Sequence, residues 1–386
     1  MKVVICGAGI AGLALANALR CEVVVLERSP GPRTQGYMID FFGTGYDACE
    51  AMGLLPAVLE AGYLVSEASL LDDHGRRRGR VDYDQFAKAV DGRFVSVMRP
   101  DLERVLREHL PSTVDLRFGM SITAVENTPD GVRCTVDDGT RIDADLLVGA
   151  DGIHSTVRDL VFGPQEPRYL GFHTAAYMFD SPEIHAAVRG RFVLTDTIGQ
   201  QMGFYALRDG RVASFAVHRT PDPALPTDTR AAIRETYAGL GWLVPQALEL
   251  CPPASEIYYD QVAQIEMPCW SKDRVVLLGD SCYAVSLLAG QGASLGIAGA
   301  YVLADRLAST ASVPLALTEY ERLWRPIAEE KQRTGRAGAR WFLPESRFTL
   351  ALRRLALHAA RLPGLSRVFA GAIAGKSSGL ITNLAS

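Results

Sequence analysis

Three glycines in the spacing GxGxxG, Gly7, Gly9 and Gly12, follow an apolar run, Lys2–Cys6, and open a second apolar run at residues 11–19. Few folds accommodate that order. A strand turning sharply into a helix needs one glycine at the turn, a second where the backbone approaches a ligand, and a third where helix and strand pack closely. The amides that start the helix then face an anion. Residues 22–26 read as the next strand, parallel to the first, and Glu27 stands at its end, placed to accept hydrogen bonds from a ribose. This is the pattern of a dinucleotide-binding βαβ unit, with Gly7, Gly9, Ile10, Ala11 and Gly12 around the pyrophosphate.

A chain of 386 residues is long enough for about two domains and a buried cofactor site. A net charge of -4 supplies no field to attract nucleic acid, whose binding depends on neutralising phosphates. The cysteines are scattered, with no CxxC pair, and fit buried thiols in a reducing cytoplasm better than disulfides or zinc; no metal site is expected. Residues 3–19, after Lys2, imitate a signal peptide, but the strand, turn and helix account for them. Residues 284–304 are uncharged and long enough to span a bilayer, yet their glycines, Gln291 and Ser294 mark a cofactor loop and helix instead.

Residues 33–45 read as glycine-rich and irregular, and 101–109 as a helix capped by Asp101, with Leu102, Leu106 and Leu110 on one face. From Val114 short strands alternate with turns at Pro129-Asp130-Gly131 and Asp137-Asp138-Gly139, and lead to a buried strand at 146–148. Between residues 169 and 265 alternating strands such as Arg191–Thr195, 201–207 and 212–218 indicate a second, sheet-rich domain. The strand at 274–278 and the glycine-rich loop after it lead into a helix through Leu307, so the first domain resumes after the insertion. The tail, 341–386, reads as helical, with Arg353, Arg354, Arg361 and Arg367 among leucines; it is expected to cap a domain rather than lie on anionic lipid. The expected division is a discontinuous cofactor domain (1–75, 96–168, 266–340), a sheet domain (76–95, 169–265) and this tail.

The fingerprint alone does not separate NAD from FAD. Downstream, Asp145-Leu-Leu-Val-Gly149-Ala150-Asp151-Gly152 continues to Ser155, Val157 and Arg158, and Arg274-Val-Val-Leu-Leu-Gly279-Asp280 is followed by Gly290-Gln291-Gly292. In order and spacing these resemble the DG and GD motifs of class A flavoprotein monooxygenases, the para-hydroxybenzoate hydroxylase and tetracycline-inactivating group. The resemblance covers residues 1 to about 310. It implies an α/β fold: a Rossmann-like, glutathione-reductase-type FAD domain with an inserted sheet-rich substrate domain and a helical carboxy terminus.

The resemblance further implies non-covalent FAD, with Glu27 on the adenosine ribose, Arg28 and Arg99 near the adenine and phosphates, and Asp280 on the ribityl side. Gly290, Gly292, Ala293 and Ser294 would then lie at the flavin's pyrimidine edge. It implies NAD(P)H as visiting reductant and a flavin C4a-hydroperoxide that hydroxylates or epoxidises an aromatic or polyketide-like small molecule, as in secondary metabolism. Asp151 reads equally as a shaper of the cofactor site and as a capping residue. Substrate-side candidates on the alternating strands are Phe192, Gln201, Phe204, Tyr205, Phe215 and His218, of which Gln201, Tyr205 and His218 carry chemistry; the period of two leaves open which face points inward. Two departures stand out: Tyr283 where the family has histidine and Leu287 where it has proline. Ser294 replaces the usual asparagine. An FAD oxidase or reductase of the same fold, and a non-catalytic flavin-binding sensor, are the competing readings; the tryptophan motif of halogenases is missing.

Overall fold

The computed structural model describes residues 1–286, 290–359 and 379–385. Its first sheet has six strands in the order β17 (Ser271–Lys272), β18 (Val275–Leu277), β11 (Leu146–Gly149), β1 (Lys2–Cys6), β2 (Glu22–Glu27) and β7 (Val114–Phe118). All but β17 run parallel. Strands β1, β2, β11 and β18 are almost unbroken runs of Val, Leu and Ile, and nearly every residue in them is buried, as a parallel sheet covered on both faces requires. Helices α1 (Ile10–Ala18) and α11 (Gly292–Ser309) pack together with α2 (Thr44–Ala51), α3 (Leu55–Ala61) and α5 (Arg99–Glu108). The meander of β8 (Ile122–Asn127), β9 (Val132–Val136) and β10 (Arg141–Ala144), together with α6 (Thr156–Phe162), completes this half.

The second sheet has seven strands: β16 (Tyr258–Gln264), β12 (Arg168–Phe179), β15 (Val212–Arg219), β14 (Gln200–Ala206), β13 (Arg191–Thr195), β4 (Glu67–Leu71) and β5 (Arg77–Asp82). Strand β4 lies before the expected boundary at 75 yet pairs in parallel with β13, so residues assigned from sequence to the cofactor half contribute to this sheet. One face is packed by α7 (Pro182–Val188), α8 (Thr229–Thr236) and α9 (Val244–Glu249), through Tyr177, Phe204, Ile233, Tyr237 and Val244. The opposite face looks toward the first half of the molecule, and α4 (Tyr83–Ala89) follows β5.

Two local expectations change. Residues 33–45 are not wholly irregular: β3 (Met38–Phe42) pairs antiparallel with β6 (Phe94–Met98), and flanking glycines and Asp40 disguise it in the sequence. Asp101 is not a cap, because α5 begins at Arg99 with Pro100 in its first turn and Met98 as the cap residue. Within 284–304, helix α11 opens at Gly292, beyond α10 (Asp280–Tyr283), in keeping with the reading of a loop and a helix. No helix among the described residues is long and apolar enough to cross a membrane.

The long α12 (Val313–Phe342) leads to α13 (Arg347–Ala359), and α14 (Leu380–Ala385) returns to the first half, where Ile381 is buried. Helix α13 docks with its polarity reversed. Arg353 and Arg354 reach inward to Asp196, at 2.5 and 2.6 Å, and the Asp196 side chain is fully buried. Phe348, Leu352 and Leu355, at i, i+4 and i+7, face outward and are 77%, 41% and 66% exposed. A buried carboxylate needs its charge partners more than three apolar side chains need cover, which decides the helix's rotation. Arg361 and Arg367 lie outside the described residues.

Candidate active site

Two adjoining cavities, one within the first half and one between the halves, share Gly9, Arg99, Ala150 and Gly152 in their walls. The narrower, about 120 Å³, runs past Gly7, Glu27, Arg28, Glu103 and Asp151. Gly7 makes the turn with φ of +108°, where a Cβ would fall 2.4 Å from the Ala150 oxygen. At Gly12 a Cβ would fall 2.0 Å from the Gly7 oxygen, so Gly12 serves packing and not ligand contact. Over Gly9 a Cβ would meet nothing nearer than Glu103 Oε1, at 3.9 Å. That space is a cradle open to the cleft. No side chain caps α1, leaving its first-turn amides to an anion.

Glu27 closes β2 with both oxygens engaged: one accepts from the Ala8 amide and the other from the Ser29 amide, each at 2.9 Å. Burial alone would raise its carboxyl, but those amides and Arg33 outweigh burial and hold it below the usual carboxylate range. It is therefore an ionised acceptor for hydroxyl groups. Arg99 pairs with Glu103 at 2.8 Å, one turn along α5, and faces both cavities. Asp151 brackets the next turn: it accepts from Ser155 Oγ at 2.5 Å and from the Val157 amide at 3.1 Å, while Ser155 caps α6. Arg158 is 2% exposed and donates to the Ser281 carbonyl at 3.2 Å. It ties the DG turn to the GD turn, a role that its place in the motif did not disclose.

The larger cavity, about 420 Å³, is of the size that holds a drug-like ligand. Ile10, Ala11, Asp280, Gly290, Gly292 and Ala293 form one wall, and Tyr37, Phe192, Tyr205, Phe215, Tyr258 and Phe342 the aromatic side. Helix α11 opens at Gly292 with no side-chain cap. Two buried glutamines fix the segment leading to that loop: Gln332 Nε2 donates to the Ala284 and Ile265 carbonyls, and Gln264 Nε2 to those of Val285 and Gln332, at 2.6–3.0 Å.

The residues expected on the substrate side divide. Phe192, Tyr205 and Phe215 line the cavity, and Tyr205 Oη accepts from the Met38 amide at 2.5 Å. Phe204 and His218 point to the other face, His218 toward the Tyr237 hydroxyl at 3.0 Å. Gln201 is buried with its amide donated to the Thr195 carbonyl and does not reach the cavity. Ser294 is not a lining residue either: its side chain packs on Gly45 of α2. Tyr37, Asp40, Tyr83, Tyr258 and Phe342 were missed: Tyr37 and Asp40 come from the segment read as irregular, Phe342 from the helical tail, Tyr258 from the unassigned strand β16, and Tyr83 from the start of α4 in a stretch assigned only to the sheet domain.

The dinucleotide cleft joins directly to an aromatic chamber, and the FAD binding domain family matches residues 1–333. The chain belongs to the class A FAD-dependent monooxygenases. It is 33% identical over 343 residues to an uncharacterized protein of Mycobacterium tuberculosis, covering 86% of this chain and 91% of that one. It is also 27% identical to a flavin-dependent monooxygenase of Legionella longbeachae, over 87% and 88% of the two chains. Among solved structures, tetracycline destructase Tet(51) superposes with a TM-score of 0.80 at 23% identity, covering 96% of this chain and 98% of its own. Klebsiella pneumoniae HpxO, solved with FAD and uric acid, gives 0.73 at 22%, over 100% and 96%.

The monooxygenase's departure at Tyr283 does not reshape the cavity. Tyr283 is buried against Trp270, with ring centroids 4.8 Å apart, and its hydroxyl reaches toward Gly299 of α11. A Cβ on Gly299 would lie 2.2 Å from that oxygen and 2.7 Å from Trp324 Nε1. Gly299→Ala is expected to destabilise the enzyme by about 3 kcal/mol, and adding Tyr283→Phe to recover part of the loss, measured by denaturant midpoint. Leu287, the other departure, lies outside the described residues.

His218 acts on stability instead of catalysis. Burial, reinforced by His173 on the neighbouring strand, holds its pKa down to about 4, against 6.5 unperturbed. The unfolded chain therefore takes up the proton first on acidification. The stability contributed is complete above about pH 6.5 and falls by about 1.4 kcal/mol per pH unit toward pH 4. Unfolding of His218→Asn across that range should show a shallower slope; an unchanged slope refutes the assignment.

Proposed function

We propose that this enzyme hydroxylates or epoxidises an aromatic or polyketide-like small molecule with NAD(P)H as reductant. The observation that carries the reading is the 420 Å³ cavity whose one wall is the GD loop and whose other is a set of aromatic side chains. Glu27 would accept from the adenosine ribose, Arg28 and Arg99 would lie along the adenine and phosphates, and the amides over Gly9, Ile10 and Ala11 would hold the pyrophosphate. Asp280 would accept from the ribityl side, and the amides opening α11 at Gly292 and Ala293 would face the ring's pyrimidine edge and favour negative charge there. Bound FAD supplies oxygen activation. The protein excludes water with Phe192, Phe215 and Phe342 and holds the substrate ring flat between aromatic faces. Two structural neighbours carry ring compounds in their names: one is a tetracycline destructase, and the other was solved with FAD and uric acid.

The test is NAD(P)H and oxygen consumption by the yellow holoenzyme over a panel of phenolic and polycyclic compounds, with products weighed by mass spectrometry. Substrate-stimulated uptake that leaves one added oxygen atom in the product supports the proposal. Uptake ending only in hydrogen peroxide would assign an oxidase, and flavin reduction independent of oxygen a reductase.

A further inference from the structure

The chamber's charge is one-sided. Asp40, Asp260 and Asp280 line it, and Arg99 is its single cationic side chain among the described residues. Arg99 belongs to the dinucleotide end: it faces the narrower cleft as well and is engaged by Glu103 at 2.8 Å. Asp260 has His154 within 3.4 Å. Asp40 has no ion-pair partner among the described residues; it is held by neutral hydroxyls alone, Tyr83 Oη donating to Oδ2 at 2.8 Å and Ser96 Oγ to Oδ1 at 2.7 Å. Both donors are buried, Ser96 at 1% and Tyr83 at 9% exposure, so the carboxylate is fixed in direction. Each of its oxygens keeps lone-pair capacity for one further donor.

We infer that the substrate presents a hydrogen-bond donor to Asp40, as a neutral phenol or N–H group or as a cationic amine, and that aromatic acids are disfavoured. This rests on the proposed function only in taking the aromatic chamber as the substrate site. An anionic ligand placed there would meet a desolvated carboxylate with no cation to offset it, and like charges at close range in a shielded cavity repel strongly. A donor, by contrast, completes the carboxylate's unfilled hydrogen-bonding capacity. Burial raises Asp40 above the usual carboxylate range while Ser96 and Tyr83 pull it back, consistent with a group short of a partner. The bland role, a bracket joining β3 to β6 and α4, needs only an acceptor and not a charge. Asparagine in its place separates the two.

The experiment uses FAD-loaded enzyme and three naphthalenes carrying a hydroxyl, an aminomethyl or a carboxylate group at the same position. Binding is followed by calorimetry and by perturbation of the flavin band. The hydroxyl and aminomethyl compounds are expected to bind at least about tenfold tighter than the carboxylate, a difference that one close charge readily supplies. Asp40→Asn should shrink that gap to about twofold, chiefly by weakening the amine and admitting the acid. Equal or tighter binding of the carboxylate by the wild-type enzyme overturns the inference, as does a gap that Asp40→Asn leaves intact. The wild-type ranking decides even where Asp40→Asn fails to hold FAD. Oxygenated product from aromatic acids would defeat the inference and leave the proposed oxygenation standing; the expected ranking with peroxide as the only oxygen product would do the reverse.

Discussion

Gly9→Ala is expected to yield a folded protein that binds FAD about ten- to a hundredfold more weakly, whereas Gly12→Ala is expected to lose the fold's stability itself. The two positions belong to one motif but meet different surroundings. A methyl on Gly9 touches nothing nearer than Glu103 Oε1, at 3.9 Å, so the apoprotein accommodates it without strain. That methyl stands over the cradle where a pyrophosphate must approach α1, and overfilling a fitted site by one methyl typically costs 1–3 kcal/mol, or about ten- to a hundredfold in affinity. A methyl on Gly12 is driven to 2.0 Å from the Gly7 carbonyl oxygen, a backbone atom already fixed by a turn at φ of +108°. Neither partner can yield without moving β1 against α1, so a loss of about 3 kcal/mol or more is expected before any cofactor is added. Apoprotein melting and FAD titration together separate the effects. Equal melting losses for both variants would refute the division of labour.

Asp196→Ala is expected to cost about 3–5 kcal/mol of stability without changing FAD content. The carboxylate is fully buried and engages Arg353 and Arg354; removing it leaves a guanidinium, 9% exposed, with no countercharge. Neither cavity is lined by any of the three residues, so the cofactor should be retained. Hydrogen exchange of α13 should rise far more than that of α1 or α11. A triple replacement of Asp196, Arg353 and Arg354 by leucine should recover much of the loss, since an apolar substitute for a buried ion cluster is often neutral. A small effect of Asp196→Ala on exchange in α13 would show that the helix is held by something other than its charges.

What was legible in the sequence is what local backbone geometry dictates. Gly7, Gly9 and Gly12 announce themselves because a sharp turn, an open cradle and a close approach each demand a residue without a side chain, and Glu27 follows at the distance set by one helix and one strand. Strands β1, β2, β11 and β18 of the first sheet were legible from apolar runs, and β13, β14 and β15 of the second from alternation; β4, β5, β12 and β16 were not. The pocket's chemistry was not. Alternation in β14 and β15 groups Tyr205 with Phe215 and sets Phe204 and His218 apart, but says nothing of which group faces inward. Gln201 lies on the cavity-facing side and still spends its amide on Thr195, which no spacing could reveal. Asp40 was hidden because β3 is a short strand flanked by glycines, and its hydroxyl partners arrive from residues 83 and 96. In helix α13 the interleaved arginines and leucines leave the buried face open in the sequence; the pull of Asp196 on Arg353 and Arg354 decides it.

The order of strands in the first sheet also bears on when the protein can become yellow. Strand β18, which begins at Val275 of 386 residues, pairs with β11, and the segment beyond it lines the larger cavity through Asp280, Gly290 and Gly292. During translation the amino-terminal fingerprint emerges early, yet β11 stays an open, apolar edge until β18 leaves the ribosome. Between the synthesis of β11, which ends at Gly149, and that of β18, which ends at Leu277, a nascent chain therefore carries half a nucleotide cleft and an unpaired strand, and cofactor capture becomes a late event. In a chain finished without flavin the strand edge is covered but the cleft is unfilled, so supply of the vitamin should govern how much of the finished protein becomes holoenzyme.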